Sequence, residues 1–116
     1  MTIQRINPGK RMSGAVVHGN TVYLAGQVAE KTAGQSVTEQ TKEILAKIDA
    51  LLAEAGTDKS KALMANIWLT DMATFQEMNA VWDGWVAEGN SPARATVEAK
   101  LAGAPYKVEI AIIAAR

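Results

Sequence analysis

Residues 36–56 of the 116-residue chain read SVTEQTKEILAKIDALLAEAG, and this stretch has the clearest pattern in the sequence. Its apolar side chains recur at helical spacing and form one stripe, which comprises Val37, Thr41, Ile44, Leu45, Ile48, Leu51, Leu52 and Ala55. Ser36 and Glu39 have the spacing of a capping box, and Gly56 occupies the position of a left-handed C-cap. The pattern predicts an amphipathic helix whose single apolar face covers a sheet.

Strand-like segments lie on both sides of this helix. The predicted strands are residues 3–7, 15–17, 21–25, 62–69, 94–99 and 107–114. A second helical stripe begins at Phe75, with Thr74 and Glu77 predicted to form its capping box and Gly89 predicted to end it. The resulting order, β-β-β-α-β-α-β-β, predicts an α+β fold in which two helices cover one face of a mixed, mostly antiparallel sheet.

The last predicted strand carries apolar residues on both faces. One face has Val108, Ile110 and Ile112, and the other has Glu109, Ala111 and Ile113. Such a strand is expected at the centre of the sheet. Because two helices can cover only one face, the other face meets either solvent or another subunit. Its apolar residues favour a subunit, so the patterning predicts an oligomer.

Composition excludes several classes of protein. The chain has 12 Lys and Arg and 12 Asp and Glu, and this zero net charge, without a basic run, argues against binding to nucleic acids or to membrane surfaces. With no cysteine and one histidine, His18, it cannot form disulfides, thiolate nucleophiles or Cys- and multi-His metal sites. No segment has the pattern of a secretory signal or a membrane span. The sequence therefore predicts one cytoplasmic domain, residues 1–116, without a metal.

Arg94 is the first candidate for a functional role, because a charged residue near the start of an alternating strand is unusual. Its guanidinium is always charged and presents a planar fork that fits a carboxylate. The alternative is a structural role, either in a salt bridge to Glu98 or Glu109 or as an exposed charge at a sheet edge.

Glu109 is the second candidate, since it lies between two apolar residues of the last strand. A carboxylate in that place needs a hydrogen-bond donor, or desolvation raises its pKa. Such a carboxylate can position or deprotonate a water molecule. The alternative is a structural pairing with Arg94 or Lys107. Of the remaining polar and aromatic residues, His18 is expected in a turn, Trp82 and Trp85 in the core or an interface, and Asn79 in a bond to a nearby loop.

The sequence NSPARATVEA at residues 90–99, followed by Leu101 and then by VEI at residues 108–110, resembles the C-terminal signature of the RidA/YjgF family. LAGQV at residues 24–28 and the pair Phe75 and Asn79 match the same family pattern. The resemblance covers essentially the whole chain and is closest to the YoaB-type branch.

This resemblance implies a chorismate-mutase-like fold of the bacillus type and a homotrimer whose sites lie between subunits. The best-known activity of the family is the hydrolysis of reactive enamines and 2-imino acids, formed by pyridoxal-phosphate enzymes, to 2-oxo acids and ammonia. It needs no metal and no organic cofactor. By correspondence with the signature, Arg94 would hold the substrate carboxylate and Glu109 would help to hold the attacking water.

Three positions depart from the family pattern. Met12 and Ala25 stand where the best-characterised branch has a Tyr and a Ser, and Thr96 stands where a Cys is frequent. These three residues and Gly26 are expected to contact the substrate together with Arg94. Lost hydroxyl groups affect the substrate range and the rate. Two other functions stay open: non-catalytic binding of a small carboxylate such as a 2-oxo acid, and RNA cleavage, against which the zero net charge counts.

Overall fold

Six strands form one mixed sheet, and two α-helices pack on one of its faces, in a computed structural model that describes residues 1–116. The elements are β1 (Ile3–Ile6), β2 (Ala15–His18), β3 (Thr21–Leu24), α1 (Val37–Glu54), β4 (Ala62–Leu69), α2 (Phe75–Trp85), β5 (Ala93–Glu98) and β6 (Val108–Ala115), with short 3-10 turns at Lys59–Lys61 and Met72–Thr74. This arrangement confirms the predicted α+β, chorismate-mutase-like fold. Neither helix combines the length and apolar character that a membrane crossing requires.

The strand order across the sheet is β1-β2-β3-β6-β4-β5. All neighbouring strands are antiparallel except β4 and β5, which run parallel and are connected through α2. A parallel pair needs such a crossover because the chain must return to the same end of the sheet. β6 lies between β3 and β4, which confirms the central position that its apolar pattern predicted.

The core lies between the helices and one face of the sheet. α1 packs over β3 and β6, and α2 packs alongside α1. Along β6 every second residue is buried beneath the helices, while Glu109, Ala111 and Ile113 point to the opposite face and are only half-buried. No element of the chain covers that opposite face. We refer to the two sides as the helix face and the open face of the sheet.

Gly56 ends α1 as the sequence predicts, but only half of the predicted capping box forms at its start, since the Glu39 carboxylate lies 3.8 Å from Lys42 and makes no bond to the Ser36 N–H. The Oγ of Ser36 accepts a hydrogen bond from the backbone N–H of Glu39 at 3.2 Å. Gly56 has a φ of +84°, which a residue with a Cβ adopts only at a steric cost, and the N–H of Thr57 returns to the carbonyl of Leu52. The helix therefore begins and ends through local interactions.

The predicted capping box of α2 is wrong. Thr74 donates its hydroxyl to the carbonyl of Asp71 and does not cap the helix. The Glu77 carboxylate instead accepts hydrogen bonds, both at 2.9 Å, from the backbone N–H and the hydroxyl of Thr38 in α1. Glu77 thus links the first turns of the two helices. α2 also ends at Trp85, four residues before Gly89, where it was predicted to end.

Gln40 is a fully buried polar residue of α1 that lies outside the predicted apolar stripe. Its Nε2 donates to the carbonyls of Gln35 and Pro105 at 3.1 and 2.9 Å, and its Oε1 accepts from the N–H of Lys107 at 2.9 Å. The N–H of Lys107 and the carbonyl of Gln35 have no other partner in the chain, whereas the carbonyl of Pro105 also accepts from the N–H of Gly34 at 3.0 Å. Gln40 thereby attaches the connection between β5 and β6 to the start of α1.

We expect Gln40→Leu to lower the free energy of unfolding by about 2 kcal/mol, because the apolar side chain leaves the N–H of Lys107 and the carbonyl of Gln35 without their only partner. Denaturant-induced unfolding measures this change. Gln35→Leu is the matched control, since the side chain at position 35 is exposed. An equal loss of stability in both variants would contradict the anchoring role.

Candidate functional site

Arg94 lies on β5, an edge strand, and its side chain points to the helix face. Its register partner on β4 is Ala65, which is fully buried beneath the helices. The centre of the guanidinium is 5.7 Å from the ring centre of Phe75 and 5.3 Å from that of Trp82, both on α2. At these distances both aromatic rings attract the cation.

The Arg94 guanidinium has no ionic partner in the chain. The two salt bridges of the structure join Lys42 to Glu39 and Lys47 to Glu30. Glu98, one of the partners considered for Arg94, accepts a hydrogen bond from the backbone N–H of Met72 instead. Because aromatic rings hold the cation without neutralising it, its five N–H donors stay available for an anion from outside the chain.

Thr96 and Asn79 add two unpaired polar atoms to the same region. Thr96 is two residues beyond Arg94 and shares its face, opposite the buried Ile67. The Oγ1 of Thr96 and the Oδ1 of Asn79 are both shielded from solvent and have no hydrogen-bond partner. The expected bond from Asn79 to a loop is wrong, since its Nδ2 lies 3.5 Å from Gln76 in the same helix.

Phe75 and Trp82 were not expected beside Arg94. Together with Asn79 they occupy positions i, i+7 and i+4 of α2, which lie on one face of a helix. The sequence shows this spacing, but an apolar stripe that packs in the core has the same spacing. The spacing also does not identify which strand packs against this face of the helix.

Glu109 points to the open face, where it lies opposite Trp68 of β4. Its carboxylate sits against Gly26, and a Cβ at position 26 would collide with it. Glycine is therefore required there by close approach rather than by a positive φ. The carboxylate has no hydrogen-bond donor and no cation beside it, and burial raises its pKa above the usual 4.5.

A bulge brings Gly26 next to Glu109. Tyr23 of β3 lies opposite Ile113, whereas Gln27 lies opposite Ile110, so one strand advances four residues while the other advances three. The extra residue falls at Ala25 and Gly26, and bulges of this kind redirect the chain beside functional sites. Of the expected site residues in the bulge, Gly26 is thus placed beside Glu109, and Ala25 precedes it.

Met12 lies in the loop between β1 and β2, and 62% of its surface is exposed. The same loop is joined to the bulge by a hydrogen bond of 2.9 Å from the N–H of Ala25 to the carbonyl of Gly14. An apolar side chain with this much exposure can contact a ligand or a neighbouring molecule.

The structure therefore divides the expected site residues into two groups. Arg94 and Thr96 lie on the helix face, while Glu109 and Gly26 lie on the open face, with Met12 in the adjoining loop. Arg94 and Glu109 are separated by two strand spacings and three residues along the strands, roughly 14 Å between Cα atoms. This geometry excludes the alternative of a salt bridge between them within one chain. None of the three surface clefts of the chain is lined by either residue.

Comparison with known proteins agrees with this fold and these motifs. A family model described as Endoribonuclease L-PSP matches residues 2–116. A RutC family protein from Haemophilus influenzae is 54% identical over 114 residues, covering 98% of each chain, and the RutC family protein YoaB from Escherichia coli K12 is 45% identical over 115 residues, covering 99% of each.

Among solved structures, a member of the YjgF protein family from Neisseria meningitidis superposes with a TM-score of 0.96 at 46% identity, covering 100% of this chain and 96% of the other. Sequence and fold agree over the full length of the chain. The chain therefore belongs to the RidA/YjgF family, which also carries the names RutC and L-PSP, and it is similar to the YoaB branch.

Proposed function

We propose that this protein hydrolyses reactive 2-imino acids, and the enamines in equilibrium with them, to 2-oxo acids and ammonia. The observation that carries the proposal is the Arg94 guanidinium, which is held by two aromatic rings and has no carboxylate partner in its own chain. A small substrate with one carboxylate satisfies such a fork by a bidentate contact. The RidA/YjgF family membership favours the same activity.

The proposed reaction uses two residues in separate roles. Arg94 binds the substrate carboxylate and so fixes the adjacent C=N carbon. Glu109 holds a water molecule and accepts one of its protons as the oxygen attacks the carbon of the protonated imine, which gives a neutral carbinolamine. Glu109 then returns that proton to the nitrogen, the C–N bond breaks, and the hydroxyl group becomes the carbonyl of the 2-oxo acid as its proton passes to the departing ammonia. The raised pKa of Glu109 favours such proton transfer near neutral pH. No metal or organic cofactor takes part in this scheme.

The two residues can meet across an interface between copies of the chain, and we propose a homotrimer with three such sites. The open face presents half-buried apolar side chains without a cover, including Met64, Trp68, Ala111 and Ile113. Burying an apolar face of this kind drives association. In this arrangement Arg94 comes from one copy and Glu109 from its neighbour.

Light scattering is expected to show a particle of three times the 12.3 kDa chain mass. A charged residue in the open face opposes this burial, so Ile113→Asp is expected to shift the particle toward the monomer. Lys42→Asp, which places the same residue on the exposed side of α1, is the control. A stable wild-type monomer in dilute solution would rule out the trimer.

Co-assembly tests whether the site is shared between copies. Trimers refolded from a mixture of Arg94→Ala and Glu109→Gln chains contain some interfaces at which an intact Arg94 meets an intact Glu109. Activity that is absent from either variant alone should therefore return in the mixture. No recovery in mixtures shown to contain both chains would mean that the two residues do not act across an interface.

The hydrolytic activity is tested with 2-imino acids that are generated in the assay mixture. An amino-acid oxidase supplies a panel of 2-imino acids, and trapping with semicarbazide reports how fast each disappears. The protein is expected to accelerate the loss of several of them. Binding of 2-oxobutanoate without acceleration of any imine would instead support a binding or sensing role. Salt-sensitive binding and cleavage of RNA would support the activity named by the family model.

A further inference from the structure

Asn79 occupies the turn of α2 between Phe75 and Trp82, the two residues whose rings contact the Arg94 guanidinium. Phe75 and Trp82 are about 10 Å apart along the helix axis, and Asn79 lies between them and within about 60° of both around it. A guanidinium that contacts both rings, at 5.7 and 5.3 Å, must span this turn. Among the polar residues of α2, Asn79 is therefore the one that helical spacing places on the same face as these two rings.

The Asn79 amide oxygen lacks a hydrogen-bond donor, and the Arg94 guanidinium lacks an acceptor in the chain. The Asn79 Oδ1 is shielded from solvent and receives no hydrogen bond, and the Arg94 guanidinium donates none to the chain. Buried carbonyl oxygens normally have a donor, and one without a partner destabilises the fold. The Arg94 guanidinium, which contacts the rings on either side of Asn79, is the nearby group with N–H donors to spare.

We infer that Asn79 is a positioning residue for Arg94: its amide oxygen accepts a hydrogen bond from the guanidinium when a carboxylate ligand is bound, and it orients the cation without neutralising it. An aspartate of the same shape at this place would form an ion pair and compete with the ligand. A neutral acceptor on a rigid helix therefore keeps the full charge of Arg94 for the substrate. This inference rests on the proposed function insofar as Arg94 binds a carboxylate.

The first experiment measures the affinity for 2-oxobutanoate by calorimetry. Asn79→Asp should weaken binding by at least about tenfold, because the new carboxylate takes the guanidinium. In the imine assay the same variant should raise KM more than it lowers kcat. Asn20→Asp makes the same change of charge in the exposed turn between β2 and β3 and should bind normally. Equal affinity of Asn79→Asp and wild type would overturn the inference while leaving the proposed function intact.

The second experiment needs no ligand. Melting temperatures are measured at one protein concentration for Asn79→Asp, for Arg94→Met and for the double variant. If the side chains meet, Asn79→Asp should lower the melting temperature by several degrees more when Arg94 is absent than when it is present. Additive changes would overturn the inference. Non-additive changes in melting temperature would support the contact between positions 79 and 94. If the wild type nevertheless bound no 2-oxo acid, the proposed function would be contradicted while this contact would stand.

Discussion

Arg94→Ala is expected to lower imine turnover by about 100-fold or more while the protein stays folded and assembled. The guanidinium makes no salt bridge in its own chain, so its removal breaks no ion pair of the fold. What is lost is the bidentate, charge-assisted contact to the substrate carboxylate, together with the orientation of the reacting carbon. The rate of imine loss with semicarbazide trapping measures the effect.

Two further variants sharpen this test. Arg94→Lys should also be poor, since an ammonium group is a point charge and does not reproduce the planar fork. Lys42→Ala removes an exposed cation from α1 and should leave turnover unchanged. If Arg94→Ala stayed folded and kept wild-type turnover, Arg94 would not be the carboxylate-binding residue.

Glu109→Gln is expected to lower turnover by about 100-fold or more, with little change in the affinity for 2-oxobutanoate. Glutamine keeps the size of the side chain and one acceptor oxygen, but it cannot take a proton from water. Calorimetry and the turnover rate, measured on the same preparation, separate binding from catalysis. Glu88→Gln, in an exposed loop, is the control for loss of charge.

The pH dependence gives a second readout for Glu109. Burial raises the pKa of this carboxyl above 4.5, and only its ionised form can accept a proton. As pH falls through the raised pKa, the carboxyl becomes neutral, so kcat/KM should decline at a pH above 4.5. Glu109→Gln should lack that acidic limb. Intact turnover combined with altered affinity for the 2-oxo acid would instead assign Glu109 a supporting role at the binding site.

The elements with strong local signals could be predicted from the sequence. The stripe from Val37 to Ala55 and the two-sided pattern of β6 depend on spacings of 3.6 and 2 residues, and these are properties of a short segment. Gly56 likewise marks the end of α1 because the conformation it adopts is decided by the local backbone. The family signature around Arg94 is also contiguous, so the resemblance could be found without the fold.

The errors in α2 have a non-local cause. Thr74 and Glu77 have the spacing of a capping box, yet the Glu77 carboxylate bonds to Thr38, which is 39 residues away in the chain. Gln40 is buried for a similar reason, because two of its partners are the backbone groups of Pro105 and Lys107. A local pattern carries no information about partners that only packing brings near.

The amino-acid sequence by itself therefore determined which segments form helices and strands and which strand is central, and it indicated Arg94 and Glu109 as the candidate site residues. Only the tertiary structure decided that Arg94 and Glu109 face opposite sides of one sheet. The alternation within β5 and within β6 defines the faces of each strand separately, and the two can be related only through their registers with β4. The tertiary structure also decided that Phe75 and Trp82 of α2 contact Arg94, because an amphipathic stripe shows that a helix packs on a surface but not which strand lies beneath it.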